Sequence, residues 1–103
     1  PLPKITILKP QNGLYIFNVK ILPLRNPIIF GPIMIKVQAT QVEASIKYVE
    51  FYYEGALMKT DYTQPYTWLC LRHSPPLVQT IIVRAYDTVG NHNDKILYIV
   101  KLL

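Results

Sequence analysis

The sequence predicts an all-β chain folded as a two-layer antiparallel β-sandwich, with a small closed barrel as the alternative. Three observations carry that prediction. Val, Ile, Tyr, Phe, Trp and Thr dominate the apolar stretches, nine prolines and four glycines interrupt them at short intervals, and no window carries an i, i+3, i+4 stripe with helix caps. Short strands with one apolar face each need a second sheet to cover that face, so two layers follow.

Read in order, "KITIL" (Lys4 to Leu8) is a first strand, and "KPQNG" turns the chain with Asn12 and Gly13 as residues that tolerate positive φ. "LYIFNVKILPL" (Leu14 to Leu24) reads as one run ended by Pro23, followed by a short return strand at Ile28 to Phe30 that Gly31-Pro32 breaks. In "IMIKVQATQV" (Ile33 to Val42), Ile33, Ile35, Val37 and Ala39 share a parity that suits an inward face. "IKYVEFYY", Glu54-Gly55 and "ALMKTDY" form the plainest hairpin signal in the chain, with Val49, Phe51 and Tyr53 inward. "YTWLCL" (Tyr66 to Leu71) follows with Trp68 as core, then a proline-stiffened loop "RHSPP", the long strand "VQTIIVRAYD" (Val78 to Asp87), and "KILYIVKLL" as the closing strand. The expected total is about seven to nine strands.

Composition limits what the chain can do. At 103 residues it reads as one domain, residues 1–103, with room for a single core but not for a deep lidded cleft. Eleven Lys and Arg against six Asp and Glu give a net charge of +5, but the cations are scattered singly, so no nucleic-acid stripe forms and no nucleic-acid partner is expected. Mean hydropathy is +0.18, yet no apolar run approaches the roughly 18 residues of a membrane span, so a soluble chain without direct membrane insertion is expected. Cys70 is the single cysteine, which excludes an internal disulfide and a cysteine-based zinc cage. A start at "PLPK" reads as an excised domain or mature fragment.

Candidate chemistry is sparse. Asp87, Asn91, Asn93 and Asp94 in "RAYDTVGNHND" offer oxygen ligands for a weak calcium site, but their spacing is not that of an EF-hand. The plainer account is a hairpin turn in which Asp87 accepts hydrogen bonds from the N–H of Val89 or Gly90, Gly90 and Asn91 are left-handed, and a wet loop tip leaves both aspartates untuned. Cys70, His73 and His92 are the residues from which a zinc site would have to be built, without supporting spacing. Ser45, Ser74 and Cys70 lack the motif context of a nucleophile, and no glycine-rich phosphate loop exists, so no cofactor, no metal and no catalytic residue is expected.

The remaining signal is aromatic. If Val49, Phe51 and Tyr53 face inward, and Ile81, Val83 and Ala85 do the same, then pairing of their strands places Tyr48, Tyr52, Ile82, Arg84 and Tyr86 on one outer face. Such a face can stabilise its own sheet, dock a protein partner, or stack on sugar rings.

Two stretches also carry a resemblance. "YVEFYYEGALMKTDYTQPYTW" and "TIIVRAYDTVGN" resemble the bacterial and archaeal immunoglobulin-like domains of secreted and cell-surface proteins, whose pattern runs V-E-F-Y-x-D-G-x-L, T-D-x-x-x-P-Y-x-W and I-x-V-x-A-Y-D-x-x-G-N. Residues from Val49 to Asn91 match in order, and the N-terminal "ITILKPQNGLYIF" to "PIIFGPIMIKVQA" is similar to members with an extra hairpin before the core strand. Glu54 stands where the family usually has Asp, and the segment from Leu69 to Val78 departs from it. The resemblance implies an extracellular or cell-surface accessory module of a longer protein, without catalytic residues of its own, whose partners are neighbouring domains or surface proteins. Two alternatives stand beside it: a carbohydrate-binding module using the tyrosine face, and a small metal-dependent hydrolase at the loop end.

Overall fold

The computed structural model describes residues 1–73 and 77–103. These contain β1 (Lys4–Lys9), β2 (Gly13–Ile16), β3 (Val19–Pro23), β4 (Ile28–Phe30), β5 (Ile33–Thr40), β6 (Ile46–Tyr53), β7 (Ala56–Asp61), β8 (Tyr66–Cys70), β9 (Val78–Asp87) and β10 (His92–Lys101). They form a sheet of three strands, β1-β5-β8, facing one of seven, β3-β2-β4-β10-β9-β6-β7. The sandwich is immunoglobulin-like, and every pairing is antiparallel except those of β4, which runs parallel to both β2 and β10.

Alternation places the core. Ile33, Ile35, Val37 and Ala39 of β5 are buried against Val49, Phe51 and Tyr53 of β6 and Ile81, Val83 and Ala85 of β9, as their shared parity predicts. Trp68 lies between the layers, its ring centroid 6.4 Å from that of Phe51 and 6.2 Å from that of Tyr53. Large aromatic side chains fill the gap between sheets that β-branched residues alone would leave open.

The strand count is ten among the described residues, above the seven to nine expected, because the run from Leu14 to Leu24 is two strands. Phe17 and Asn18 both take positive φ, 45° and 71°, and so make the two-residue turn of a tight hairpin. Neither residue is the glycine that usually marks such a turn. The bend is held from outside: Phe17 N–H donates to Phe30 O at 2.8 Å, Met34 N–H to Asn18 Oδ1 at 2.9 Å, and Lys9 Nζ to Asn18 O at 2.7 Å. Gly31 completes the arrangement, since a Cβ there would meet the Phe17 ring at 2.9 Å. The extra N-terminal hairpin thus exists as β2 and β3, and it widens the large sheet instead of covering its outer face.

Two turn expectations differ in outcome. Asn12 and Gly13 are not left-handed, which corrects the reading of "KPQNG"; Gly13 opens β2, where a Cβ would strike the Leu22 carbonyl at 2.8 Å. The Glu54-Gly55 turn has positive φ at both residues, 47° and 84°, as a two-residue hairpin loop demands.

Candidate interaction face

Register decides which side chains share the outer face of the large sheet. Tyr48 opposes Tyr86, Glu50 opposes Arg84 and Tyr52 opposes Ile82 across β6 and β9, so the five residues expected together are together. The face continues onto β10, where His92 opposes Tyr86, Asp94 opposes Arg84 and Ile96 opposes Ile82. On β7, Thr60 opposes Glu50 and Leu57 opposes Tyr52.

Three rows result. The first is aromatic: Tyr62, Tyr48, Tyr86 and His92 lie in sequence with ring centroids 5.4, 4.7 and 5.4 Å apart. The second is charged. Arg84 donates from Nε to Asp94 Oδ1 at 2.7 Å and from a terminal nitrogen to Asp94 Oδ2 at 2.9 Å, a two-point pairing that fixes the guanidinium plane. Its Cζ lies 5.5 Å from the centre of the Tyr52 ring, and Tyr52 donates its hydroxyl proton to Glu50 Oε1 at 2.9 Å. The third row, Leu57, Tyr52, Ile82 and Ile96, is apolar, with Leu57 and Ile96 about half exposed.

The electrostatics follow from those contacts. Hydrogen bonds from Arg84 outweigh the cost of burial and hold the Asp94 carboxyl below its ordinary range, while the same pairing raises Arg84. Burial, then the hydrogen bond and charge of Glu50, raise the Tyr52 phenol. Arg84, Asp94 and Tyr52 therefore keep the charge they ordinarily carry at neutral pH, and they form a fixed pattern of donors and acceptors. None of the three is poised to take a proton.

Sequence reasoning missed Tyr62, His92, Asp94 and Ile96 as members of this face. Tyr62 lies just past β7, beyond the alternation that defines its strand. The sequence reads His92 as part of the turn, and Asp94 and Lys95 as the start of the last strand with Ile96 inside it, whereas β10 begins at His92. Extending the period-two pattern of Ile96 and Tyr98 back to Asp94 and His92 would have found them.

The "RAYDTVGNHND" stretch separates its two aspartates onto opposite faces of the sheet. Asp87 is buried, not wet, and its Oδ1 accepts from Val89 N–H at 3.0 Å and Asn91 N–H at 2.9 Å while Oδ2 accepts from Gln41 Nε2 at 3.1 Å. Burial pushes its pKa up, but these hydrogen bonds prevail and hold it below the usual carboxylate range. The donors to Asp87 are Val89 and Asn91, and of Gly90 and Asn91 only Gly90 is left-handed, at φ 92°. Gln41 Nε2 also donates to Pro1 O at 2.6 Å and Asn93 Nδ2 to Pro3 O at 3.0 Å, so the loop fastens the N-terminal segment.

The remaining candidates do not meet. Cys70 is buried on the inward side of β8, His73 is exposed, and His92 packs on Tyr86 on the outer face. Among the described residues no three His, Cys, Asp or Glu side chains converge. Ser45 is exposed and offers its carbonyl to Thr88 N–H at 3.0 Å. Ser74 lies outside the described residues.

Comparison with known proteins bears on the fold. The family model described as the bacterial Ig domain matches residues 3–73. The match ends before β9, so the "AYDTVGN" signature lies outside it. A solved structure of fibronectin(III)-like modules of Clostridium thermocellum CbhA superposes with a TM-score of 0.74 at 18% identity, covering 97% of this chain and 46% of that one. An engineered protein superposes with a TM-score of 0.62 at 16% identity, over 98% of this chain and 20% of its own. The chain spans less than half the length of either, and these likenesses concern the fold alone. No curated protein sequence matches it.

Proposed function

Because the chain belongs to the bacterial Ig domain family, whose model spans residues 3–73, we propose that residues 1–103 act as one non-catalytic spacer or docking module of a longer secreted or cell-surface protein. Its contact surface is the face formed by Tyr48, Tyr52, Ile82, Arg84 and Tyr86, extended by Tyr62 and His92. The observation that supports this reading is the aromatic row beside the Arg84–Asp94 pair: Tyr and Arg are the residues that interfaces favour, and here both are held rigid by their neighbours.

Ring spacing favours a protein surface over a sugar. Rings whose centres lie 4.7 to 5.4 Å apart stand too close to lie side by side in one plane, so they pack on one another. Tyr48 and Tyr86 are thereby each flanked by a ring on both sides, whereas stacking on a pyranose needs a free face.

The test uses the longer polypeptide. Replacing Tyr48 and Tyr86 together by Ser is expected to loosen the neighbouring module, read as faster proteolysis between modules and a larger radius of gyration in solution scattering. Unchanged values for both, with amide shifts of the row on adding soluble cello- or xylo-oligosaccharides, would overturn the docking reading in favour of sugar.

A further inference from the structure

Charge is distributed unevenly along the chain. Residues 43–103 hold six Lys and Arg against six Asp and Glu, so the excess of five belongs to Lys4, Lys9, Lys20, Arg25 and Lys36, in a segment, residues 1–42, that has no acidic residue. In the sequence these five stand apart, but the fold gathers four of them. Lys9 opposes Lys36 across β1 and β5, which sets their Cα atoms about 5 Å apart. Lys20 Nζ donates to Gln11 Oε1 at 3.1 Å, two residues past Lys9, and Leu24 N–H donates to Asn12 O at 3.4 Å, which brings Arg25 to the same loop. Lys4 is not one of the group, since it opposes Thr40 at the other end of β1, toward Glu43.

Like charges directly opposite each other destabilise a sheet, yet nothing in the fold neutralises these. The two ion pairs among the described residues, Lys59–Asp61 and Arg84–Asp94, use none of the four. Lys9 instead donates to Asn18 O at 2.7 Å and stands 5.9 Å from the centre of the Tyr15 ring, both uncharged partners. Asp61 reaches the sheet one strand beyond Lys36, where it accepts the N–H of Thr67, the register partner of Lys36, but Lys59 already matches it at 3.6 Å.

Beside Lys9 and Lys36 the small sheet is hollowed. Leu8, Val37, Gln38, Gln64 and Pro65 line an open groove of about 320 Å³, at the lower end of the roughly 300–1,000 Å³ that ligand pockets span. Leu8 and Val37 are the chain neighbours of Lys9 and Lys36. The lining thus offers two side-chain amides for hydroxyl groups and the carbons of Leu8 and Pro65 for the C–H face of a ring, with ammonium groups at its border and no acid within it.

We propose that this surface binds an acidic polysaccharide, with one uronic-acid unit in the groove, its hydroxyls toward Gln38 and Gln64 and its carboxylate toward Lys36, and with the polymer continuing past Lys9 toward Lys20 and Arg25. Charge complementarity selects a polyanion, and the groove selects a sugar. A nucleic acid fits less well, because no ring among the lining residues offers a base a face to stack on and three strands are wider than the two-stranded ribbon a major groove admits. Exposed ammonium groups attract through water, so binding is weak and falls with salt. These residues lie on the small sheet and the β2–β3 hairpin, whereas Tyr48 and Tyr86 lie on the outer face of the large sheet, so either reading can fail without the other.

Oligogalacturonate titrated into the unaltered chain at low salt is expected to shift the amides of Leu8, Lys9, Lys36 and Gln38, and the shifts should fade as salt is raised. A neutral xylo-oligosaccharide of the same length should leave those amides in place. Lys36→Gln, at an exposed position, should weaken the binding about fivefold or more, while Lys95→Gln, exposed on β10 of the other sheet, should not change it. The absence of shifts up to millimolar oligogalacturonate would overturn the proposal. So would equal shifts with the neutral sugar, shifts confined to Tyr48, Tyr86 and His92, or tighter binding of duplex DNA of equal charge at the same residues.

Discussion

The β9–β10 hairpin buries a charged side chain at each of its ends, and the two are held in opposite ways. At the turn, Asp87 is 2% exposed and its carboxylate receives two backbone N–H groups and an amide. At the open end, Lys101 is 1% exposed, and its ammonium donates to the carbonyl of Leu103. Burial lowers the Lys101 pKa, with the neighbouring Cys70 opposing, whereas at Asp87 the hydrogen bonds overcome burial and stabilise the charge. One charge organises the structure around it, and the other is tolerated by it. The difference teaches that burial alone does not say whether a charge contributes to a fold; the number of fixed dipoles pointing at it does.

The contrast can be broken first at its stronger end. Asp87→Ala removes the acceptor for Val89, Asn91 and Gln41 together and releases the N-terminal segment, so its fall in melting temperature should exceed that of any substitution at Lys101 or Arg84. The same group predicts acid behaviour. Its folded pKa lies below the unfolded value of about 3.9, so its contribution is complete above that value and is lost as pH falls through the folded pKa. Melting temperature followed from neutral pH down into that acid range should fall in the unaltered chain and fall less in Asp87→Asn. An equal fall in both would mean that Asp87 does not drive the acid transition.

Lys101 should respond with the opposite sign. Lys101→Met keeps the length of the side chain and removes the buried ammonium, and should raise stability by about 1 kcal/mol in denaturant unfolding at neutral pH. Its folded pKa lies below the unfolded value of about 10.4, so the burden on the unaltered chain is present below the folded pKa and disappears as pH rises between the two. The gain from the substitution should therefore shrink in alkali. A loss of stability at neutral pH would mean that the contact with Leu103 outweighs the desolvation.

The smallest effect sharpens the comparison from outside. Arg84 and Asp94 make a two-point pair as well formed as anything at Asp87, but on the solvent side of the same hairpin. Arg84→Ala should cost about 0.5 kcal/mol and lose that effect in high salt, because water and ions screen what the interior does not.

Much of this fold was legible in the chain. Alternation in "IMIKVQA", "YVEFYY" and "TIIVRAY" specified inward faces whatever the partner strand, and Glu54-Gly55 marked its own turn. The face of Tyr48, Tyr52, Ile82, Arg84 and Tyr86 followed from the same parity. Reading failed where a residue's conformation is imposed from a distance. Phe17 and Asn18 bend because Phe30, Met34 and Lys9 hold them. Asp87 reads as an exposed turn residue until Gln41 and the N-terminal segment close over it. Lys101 reads as a surface lysine near the end of a strand until the parity of Ile99 carries it inward.

The sequence by itself determined that this chain is β, that its strands are short, and which side of most strands is apolar, because period and punctuation are local properties of the residues. Tertiary structure decided what those local facts could not contain. Register placed Tyr62 and His92 at the ends of the aromatic row, the parallel docking of β4 joined the extra hairpin to the large sheet, and enclosure gave Asp87 and Lys101 their opposite electrostatics. Each of these depends on groups far apart in the chain, and only folding brings such groups within the few ångströms over which hydrogen bonds and ring contacts act.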